Sequence, residues 1–282
     1  MGQADTEHAS SRRQQMGVDV ATLVDDLAAE TEQLDRILRG LDAAGWEAPT
    51  PAAGWAVRDQ VSHLAFFDDA ATTAALDPDR FRAEREEAVA DPAGFTETIT
   101  RRYRDRSPAE LLDWFHRARA EMVAAYTTID PATRVPWYGP DFGVASALTA
   151  RIMETWAHGQ DVADACHATR TPTAALRQVA HLGVRTFANS YLTRGLAVPT
   201  VEVAVVLHAP DGDTWRWGPA AGADRVEGEA VEFCAVVTRR RRVEDTSLVV
   251  TGPVATEWMG IAQAFAGGPG DLRPAGLPPI AP

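Results

Sequence analysis

The sequence contains no lysine: all 27 basic residues are arginine. That excludes a lysine Schiff base, a P-loop lysine and a Ser–Lys pair. Cysteine is nearly absent too. Cys166 and Cys234 show no CxxC spacing, which argues against a disulfide framework or an iron–sulfur ligand set and suits buried structural thiols in a reduced, cytoplasmic chain. No apolar run approaches the ~18 residues a membrane helix needs, so no membrane partner is expected. The opening MGQADTEHASSRRQQMG lacks the apolar centre of a signal peptide. Residues 1–17 read as a polar, disordered leader, with Met16 an alternative start; MGQADT fits a myristoylation pattern on a match of only six residues. Positive charge is scarce overall. The net charge of −13 disfavours a nucleic-acid partner, because phosphate backbones are held by basic surfaces. The one basic cluster, Arg239–Arg242, is expected to be a solvated element end, or else to hold an anionic group of a small substrate. No internal repeat is visible.

What is present is an ordinary globular composition, 45% hydrophobic and 24% charged over 282 residues, enough for one large or two modest domains. Residues 18–40 place Val20, Leu23, Val24, Leu27, Leu34, Ile37, Leu38 and Leu41 near helical spacing. After the connection 49–54, a second helix runs from Val57 to Leu76 and carries His63. Residues 77–106 suggest a short helix and a loop. Ser107-Pro108-Ala109-Glu110 opens a helix ending near Ile129, with His116 at its rim. Residues 130–142 read as an irregular loop in which Trp137 and Tyr138 either line a pocket mouth or pack beneath. A helix over 173–193 follows. From residue 199 the pattern changes: TVEVAVVLHA and TWRWG form a hairpin about Asp211-Gly212-Asp213. A strand end then leads into a helix from about Glu229, TSLVVTG is another strand, and a last helix is ended by Gly267-Gly268-Pro269. The expected class is α+β: a helical bundle over 18–198, a small α+β domain over 199–270 and an extended tail over 271–282.

The chain is organised around residues 143–165, GVASALTARIMETWAHGQDVADA. This segment reads as one proline-free helix. Arg151, Glu154, His158 and Asp161 fall three or four apart and so form a polar stripe. The rest of the helix is mostly small and apolar, which points the stripe inward. Glu154 and His158, one turn apart, can share a divalent metal if a third ligand arrives from another helix, a common device in bundles. His63 is the candidate. On their own, a Glu/His pair at this spacing and a lone helical histidine also suit plain surface or core positions.

These residues carry a resemblance. WAVRDQVSHLAFFD, followed about 90 residues later by RIMETWAHGQDVAD, resembles the DinB-like metalloprotein superfamily, and within it the branch of mycothiol-dependent maleylpyruvate isomerases. EFCAVVTRRRRVEDTSLVVTGPVATEWMGIAQAFAGGPG is similar to an actinobacterial subgroup of metal-binding proteins, some labelled as related to wyosine base formation. The resemblance extends from about Val18 over nearly the whole chain. It implies a DinB-like four-helix bundle followed by a domain like a small sterol-carrier fold. It also implies metal ligands at His63, Glu154 and His158. Many DinB proteins use three histidines; the glutamate here follows the maleylpyruvate isomerase pattern.

The expected chemistry is that of a metal-dependent isomerase or transferase acting on a small molecule. Zinc is the first choice of metal, with nickel, iron and manganese also suited to two His and one Glu. The metal would lower the pKa of a bound thiol, mycothiol by resemblance. Arg151 or a C-terminal arginine would hold a substrate carboxylate, and Asp161 would orient His158 or act as a base. Two other readings stay open: a thiol-independent metal-dependent hydrolase, lyase or cyclase, and a carrier of an apolar ligand with a structural metal. Oligomeric state is not legible.

Overall fold

In the computed structural model, residues 19–90, 94–278 and 280 are described; the expected leader and its myristoylation pattern lie outside them. Four long helices build the N-terminal part. Helix α1, Val20–Arg39, buries Leu23, Leu27, Leu34 and Leu38 on one side, as the heptad-like spacing requires. After the short α2, Ala43–Trp46, whose N-terminus is capped by Asp42, helix α3 spans Val57–Leu76. Two helices, α4 (Pro78–Ala90) and α5 (Phe95–Arg102), occupy the stretch expected to hold a single helix and a loop. Helix α6, Pro108–Thr128, starts with the reciprocal Ser107–Glu110 capping box and a proline in its first turn. Helix α7, Val144–Cys166, stops at His167, which takes the left-handed conformation with φ 51°. Helix α3 packs along α6, α1 packs along α7, and α3 meets α7 across the bundle.

The loop before α7 is mostly irregular but contains a two-residue antiparallel pairing of β1 (Arg134–Val135) with β2 (Phe142–Gly143). Trp137 stacks on Phe81 at 5.8 Å and Tyr138 meets Phe67 edge-on at 5.5 Å, so both pack beneath the loop. The single helix expected over 173–193 is two, α8 (Leu176–Arg185) and α9 (Phe187–Leu192). At the break the Thr186 hydroxyl donates back to the Leu182 and Gly183 carbonyls, while its backbone N–H still bonds the Leu182 carbonyl. Upstream, the Thr173 hydroxyl donates to Glu30 and accepts the Ala175 N–H, and α8 begins at Leu176.

The C-terminal part is a four-stranded sheet in the order β4-β3-β5-β6. Strand β3 (Ala204–His208) pairs antiparallel with β4 (Thr214–Trp217), the expected hairpin, and parallel with β5 (Arg225–Glu229). Strand β6, Val249–Thr251, lies antiparallel to β5. Helix α10, Ala230–Val237, connects β5 toward β6, and α11 covers Pro253–Ile261. The last helix ends well before Gly267. There the Gln263 backbone N–H turns to the Ser190 hydroxyl, and its side chain bonds the Phe265 and Gly268 carbonyls. The composition changes near residue 199, but the core does not stop there. Leu27, Leu148 and Ile152 share one buried cluster with Val205, Leu207, Phe233, Val237 and Trp258. Helices α8 and α10 approach so closely that a Cβ at Gly183 would lie 2.7 Å from Val237. Cys234 is buried at this contact, and Cys166 is partly exposed.

Two buried ionic layers cross these elements. In the first, the fully buried Asp68 on α3 accepts from Arg119 Nε of α6 at 2.7 Å and from Arg151 Nε of α7 at 2.9 Å. Arg119 also donates to Thr31 on α1 and Thr155 on α7, and Arg151 donates to the Leu64 carbonyl. One carboxylate thus ties all four long helices together. In the second layer, Asp161 accepts from Arg240 at 2.9 Å and from Arg273 at 2.7 Å, while Asp164 accepts two bonds from Arg241. The arginine run is therefore not a solvated end: Arg239, Arg240 and Arg241 are buried, because α7 presents buried acids that need cations.

Removing Asp68 leaves two buried guanidiniums without a counter-charge, a change that typically costs roughly 3–5 kcal/mol. Asp68→Ala is expected to lower the unfolding free energy in urea by that order, whereas Asp79→Ala, at an exposed pair, should change it by no more than about 0.5 kcal/mol.

Candidate metal centre

Helices α3 and α7 cross with His63 facing Glu154 and His158, and one ligand atom from each lies within 4.8 Å of the other two. His158 Nε2 is 3.1 Å and His63 Nε2 3.6 Å from Glu154 Oε2. Metal bonds of about 2.1 Å at tetrahedral angles would separate ligand atoms by roughly 3.4 Å, so these spacings match a shared cation. Both imidazoles are almost fully buried, and Glu154 is the most exposed of the three. Trp55 stacks near-parallel on His158 at 5.9 Å, and Phe67 tilts against His63 at 4.6 Å. The candidate ligands thus sit between two aromatic walls.

The protonation pattern follows from a chain of hydrogen bonds. The Thr50 hydroxyl donates to the Trp55 carbonyl and accepts from Gln60 Nε2 at 2.9 Å. The Gln60 amide is thereby oriented with its oxygen toward His158 Nδ1, at 2.5 Å. The proton of a neutral His158 must then be on Nδ1, and the bare Nε2 faces Glu154. Burial, followed by the neighbouring His63 ring, pushes His158 down to about 3. Burial also lowers His63, against the raising effect of Glu154. Burial raises Glu154, but the neighbouring His158 and His63 rings outweigh this and hold it well below the ordinary carboxylate range. The bare His158 Nε2, His63 Nε2 and a carboxylate oxygen therefore converge. A cation resolves that arrangement, and the residues fit a divalent metal with positions left open for further ligands.

The stripe on α7 serves three different ends. Glu154 and His158 join His63, as the spacing suggested. Arg151 is turned to Asp68, and Asp161 is turned to Arg240 and Arg273. Gln60, not Asp161, accepts the His158 Nδ1 proton. Gln60 could have been noticed one turn before His63 on the same helix; Trp55 and Phe67 have no sequence signal beyond being aromatic near that histidine. The other histidines of the described residues are elsewhere: His116 pairs with Asp35 at 2.6 Å, His181 accepts from Trp217, His208 meets Glu229 and His167 ends α7.

Residues 27–163 match the family model described as the mycothiol maleylpyruvate isomerase N-terminal domain, a span that includes all three candidate ligand positions. The chain belongs to the DinB-like superfamily, in the branch of these isomerases. Within it, the chain is 42% identical over 255 residues to uncharacterised proteins of Mycobacterium tuberculosis strains CDC 1551 and H37Rv, covering 90% of this chain and 99% of theirs. Crystal structures of the mycothiol-dependent maleylpyruvate isomerase, unaltered and as a histidine-to-alanine mutant, superpose with a TM-score of 0.55 at 14% identity. The overlap covers 79% of this chain and 90% of theirs. That likeness supports the fold, a helical bundle followed by an α+β part.

Two outcomes are expected at this site. Gln60→Leu keeps the volume but removes the acceptor of His158, and should weaken zinc affinity about 10–100-fold in a chelator competition. The second concerns pH. A histidine buried in its neutral form is protonated first in the unfolded chain. Its contribution is complete above about pH 6.5 and is lost as pH falls toward the folded value. For metal-free protein, the stability difference between wild type and His158→Gln should shrink from pH 6.5 down to about 4, read by urea unfolding.

Proposed function

We propose that the protein is a metal-dependent enzyme that uses a thiol co-substrate, mycothiol or a close relative, in an isomerisation or transfer on a small molecule. The observation that carries this reading is the convergence of His63 Nε2, His158 Nε2 and Glu154 Oε2 between aromatic walls. His63, Glu154 and His158 would hold the ion, zinc first among zinc, nickel, iron and manganese. When bound, the ion would supply the positive charge that brings a thiol's pKa toward neutrality.

The chain's own residues prepare the rest. Gln60 and Thr50 fix the His158 tautomer, so the nitrogen facing Glu154 carries no proton. Trp55 and Phe67 keep water from the imidazoles and offer flat surfaces to an unsaturated substrate. Arg151 and Arg240 do not point free guanidinium groups at the site, since each is held by an aspartate. Their charges nonetheless act on His63 and His158, and a positive field of this kind favours a thiolate and a carboxylate-bearing substrate. Asp161, in this reading, holds Arg240 and Arg273 in place and is not a base.

The test joins metal content to thiol binding. About one metal per chain is expected by plasma mass spectrometry, with loss in Glu154→Ala and His158→Ala while circular dichroism stays native. Cobalt-substituted protein should gain a thiolate-to-metal charge-transfer band on adding mycothiol. Metal retained in both variants would overturn the site. A loaded site with no thiol-dependent band, and no mycothiol binding by calorimetry, would overturn the thiol and favour a metal-dependent hydrolase, lyase or cyclase.

A further inference from the structure

The four arginines of the run Arg239–Arg242 do not share one role. Arg240 and Arg241 are committed to Asp161 and Asp164. Arg239 is 7% exposed, at the end of α10, with φ 62°. Its Nη1 reaches only the Ala262 carbonyl, at 3.5 Å, and its buried Nε has no partner. Among the described residues no carboxylate pairs with it. By contrast, the buried Arg119, Arg151, Arg170, Arg240 and Arg241 each hold one. A buried cation in this condition is costly unless an anion completes it.

Its surroundings are cationic as well. Arg194, just after α9, donates to the Ser190 carbonyl and to Gln263 Oε1. Arg242 donates to the Arg273 carbonyl at 3.4 Å. Both are partly exposed, and neither forms an ion pair among the described residues. Burial lowers Arg239 to about 10; Arg194, Arg242 and Arg273 add repulsion, with Asp271 opposing them. The wall over Arg239 is the segment 262–270, braced by Gln263, which bonds the Phe265 and Gly268 carbonyls and the Gly270 N–H. Gly270 lies close enough that a Cβ there would be 3.4 Å from Arg239 Cδ.

We propose that Arg239, with Arg194 and Arg242 at the rim, forms an oxyanion site for a phosphate group, separate from the metal centre. The three guanidiniums come from three places in the chain: after α9, at the end of α10, and in the turn beyond it. Such a set suits a tetrahedral dianion better than one planar carboxylate, and guanidinium pairs well with phosphate oxygens. In a chain of net charge −13, a cationic cluster opposed by Asp271 alone is a local exception. The phosphate comes either as the free ion or as the ester group of a small metabolite.

The test is thermal unfolding of the metal-loaded protein in orthophosphate, glycerol 1-phosphate or succinate, against chloride at matched pH and ionic strength. A saturable rise of at least about 2 °C with orthophosphate is expected, with succinate giving less. An equal rise with the ester points to a phosphorylated metabolite, and a rise with orthophosphate alone points to the free ion. Arg239→Gln should abolish the rise, while the exposed Arg216→Gln should keep it. No rise, or a rise that survives in Arg239→Gln, overturns the proposal. Should Arg239→Gln fail to fold, Arg194→Gln at the rim is expected to weaken phosphate binding at least fivefold by phosphorus NMR titration; unchanged affinity overturns the site.

Discussion

Asp68 is the constraint on which the rest of the bundle depends. Its carboxylate holds Arg119 and Arg151 in a layer with almost no water. Through them it reaches Thr31 on α1 and Thr155 on α7. Hydrophobic contacts tolerate sliding; a buried carboxylate between two guanidiniums does not, because a small shift strands a charge. The register of α3 against α7 is fixed by the Asp68–Arg151 pair. That same register sets His63 opposite Glu154 and His158, so the spacing of the candidate ligands is inherited from an ionic layer that takes no part in their chemistry.

The second layer extends this logic to the other half of the chain. Asp161 lies one turn beyond His158, and Asp164 one turn further. Arg240, Arg241 and Arg273 dock onto them. Helix α7 is thus held from the bundle side by Asp68 and from the sheet side by its own acids. Its many buried small residues allow close packing on both flanks. The ligand helix is the shared wall of two substructures, and the continuous core on either side of residue 199 agrees with that.

The parts legible in the sequence were those written in local spacing. The Ser107 capping box, the hairpin about Asp211-Gly212-Asp213 and the one-turn interval of Glu154 and His158 all depend on residues close in the chain. The choice of His63 needed the bundle argument and the family resemblance as well. What could not be read depended on partners far away. Arg151 and Asp161 share a stripe with the candidate ligands, but their ion-pair partners, Asp68 and Arg240, are 83 and 79 residues distant. The arginine run looked solvated because nothing in its own neighbourhood reveals that α7 offers buried acids. The break at Thr186 between α8 and α9 has no counterpart in the helical periodicity.

The docking of Arg240 and Arg273 on Asp161 has a consequence for the order in which the molecule matures. All three candidate ligands are synthesised by the time α7 is complete, while the cations that neutralise Asp161 come 79 and 112 residues later. Until then α7 carries a carboxylate meant for burial and cannot settle against the sheet. A nascent chain, or a fragment truncated before Arg240, would hold all three candidate ligands and the Asp68 layer and still lack the cations that neutralise Asp161. The sheet-side anchoring of α7 is therefore timed by translation: it becomes complete only after Arg240 and Arg273 have left the ribosome.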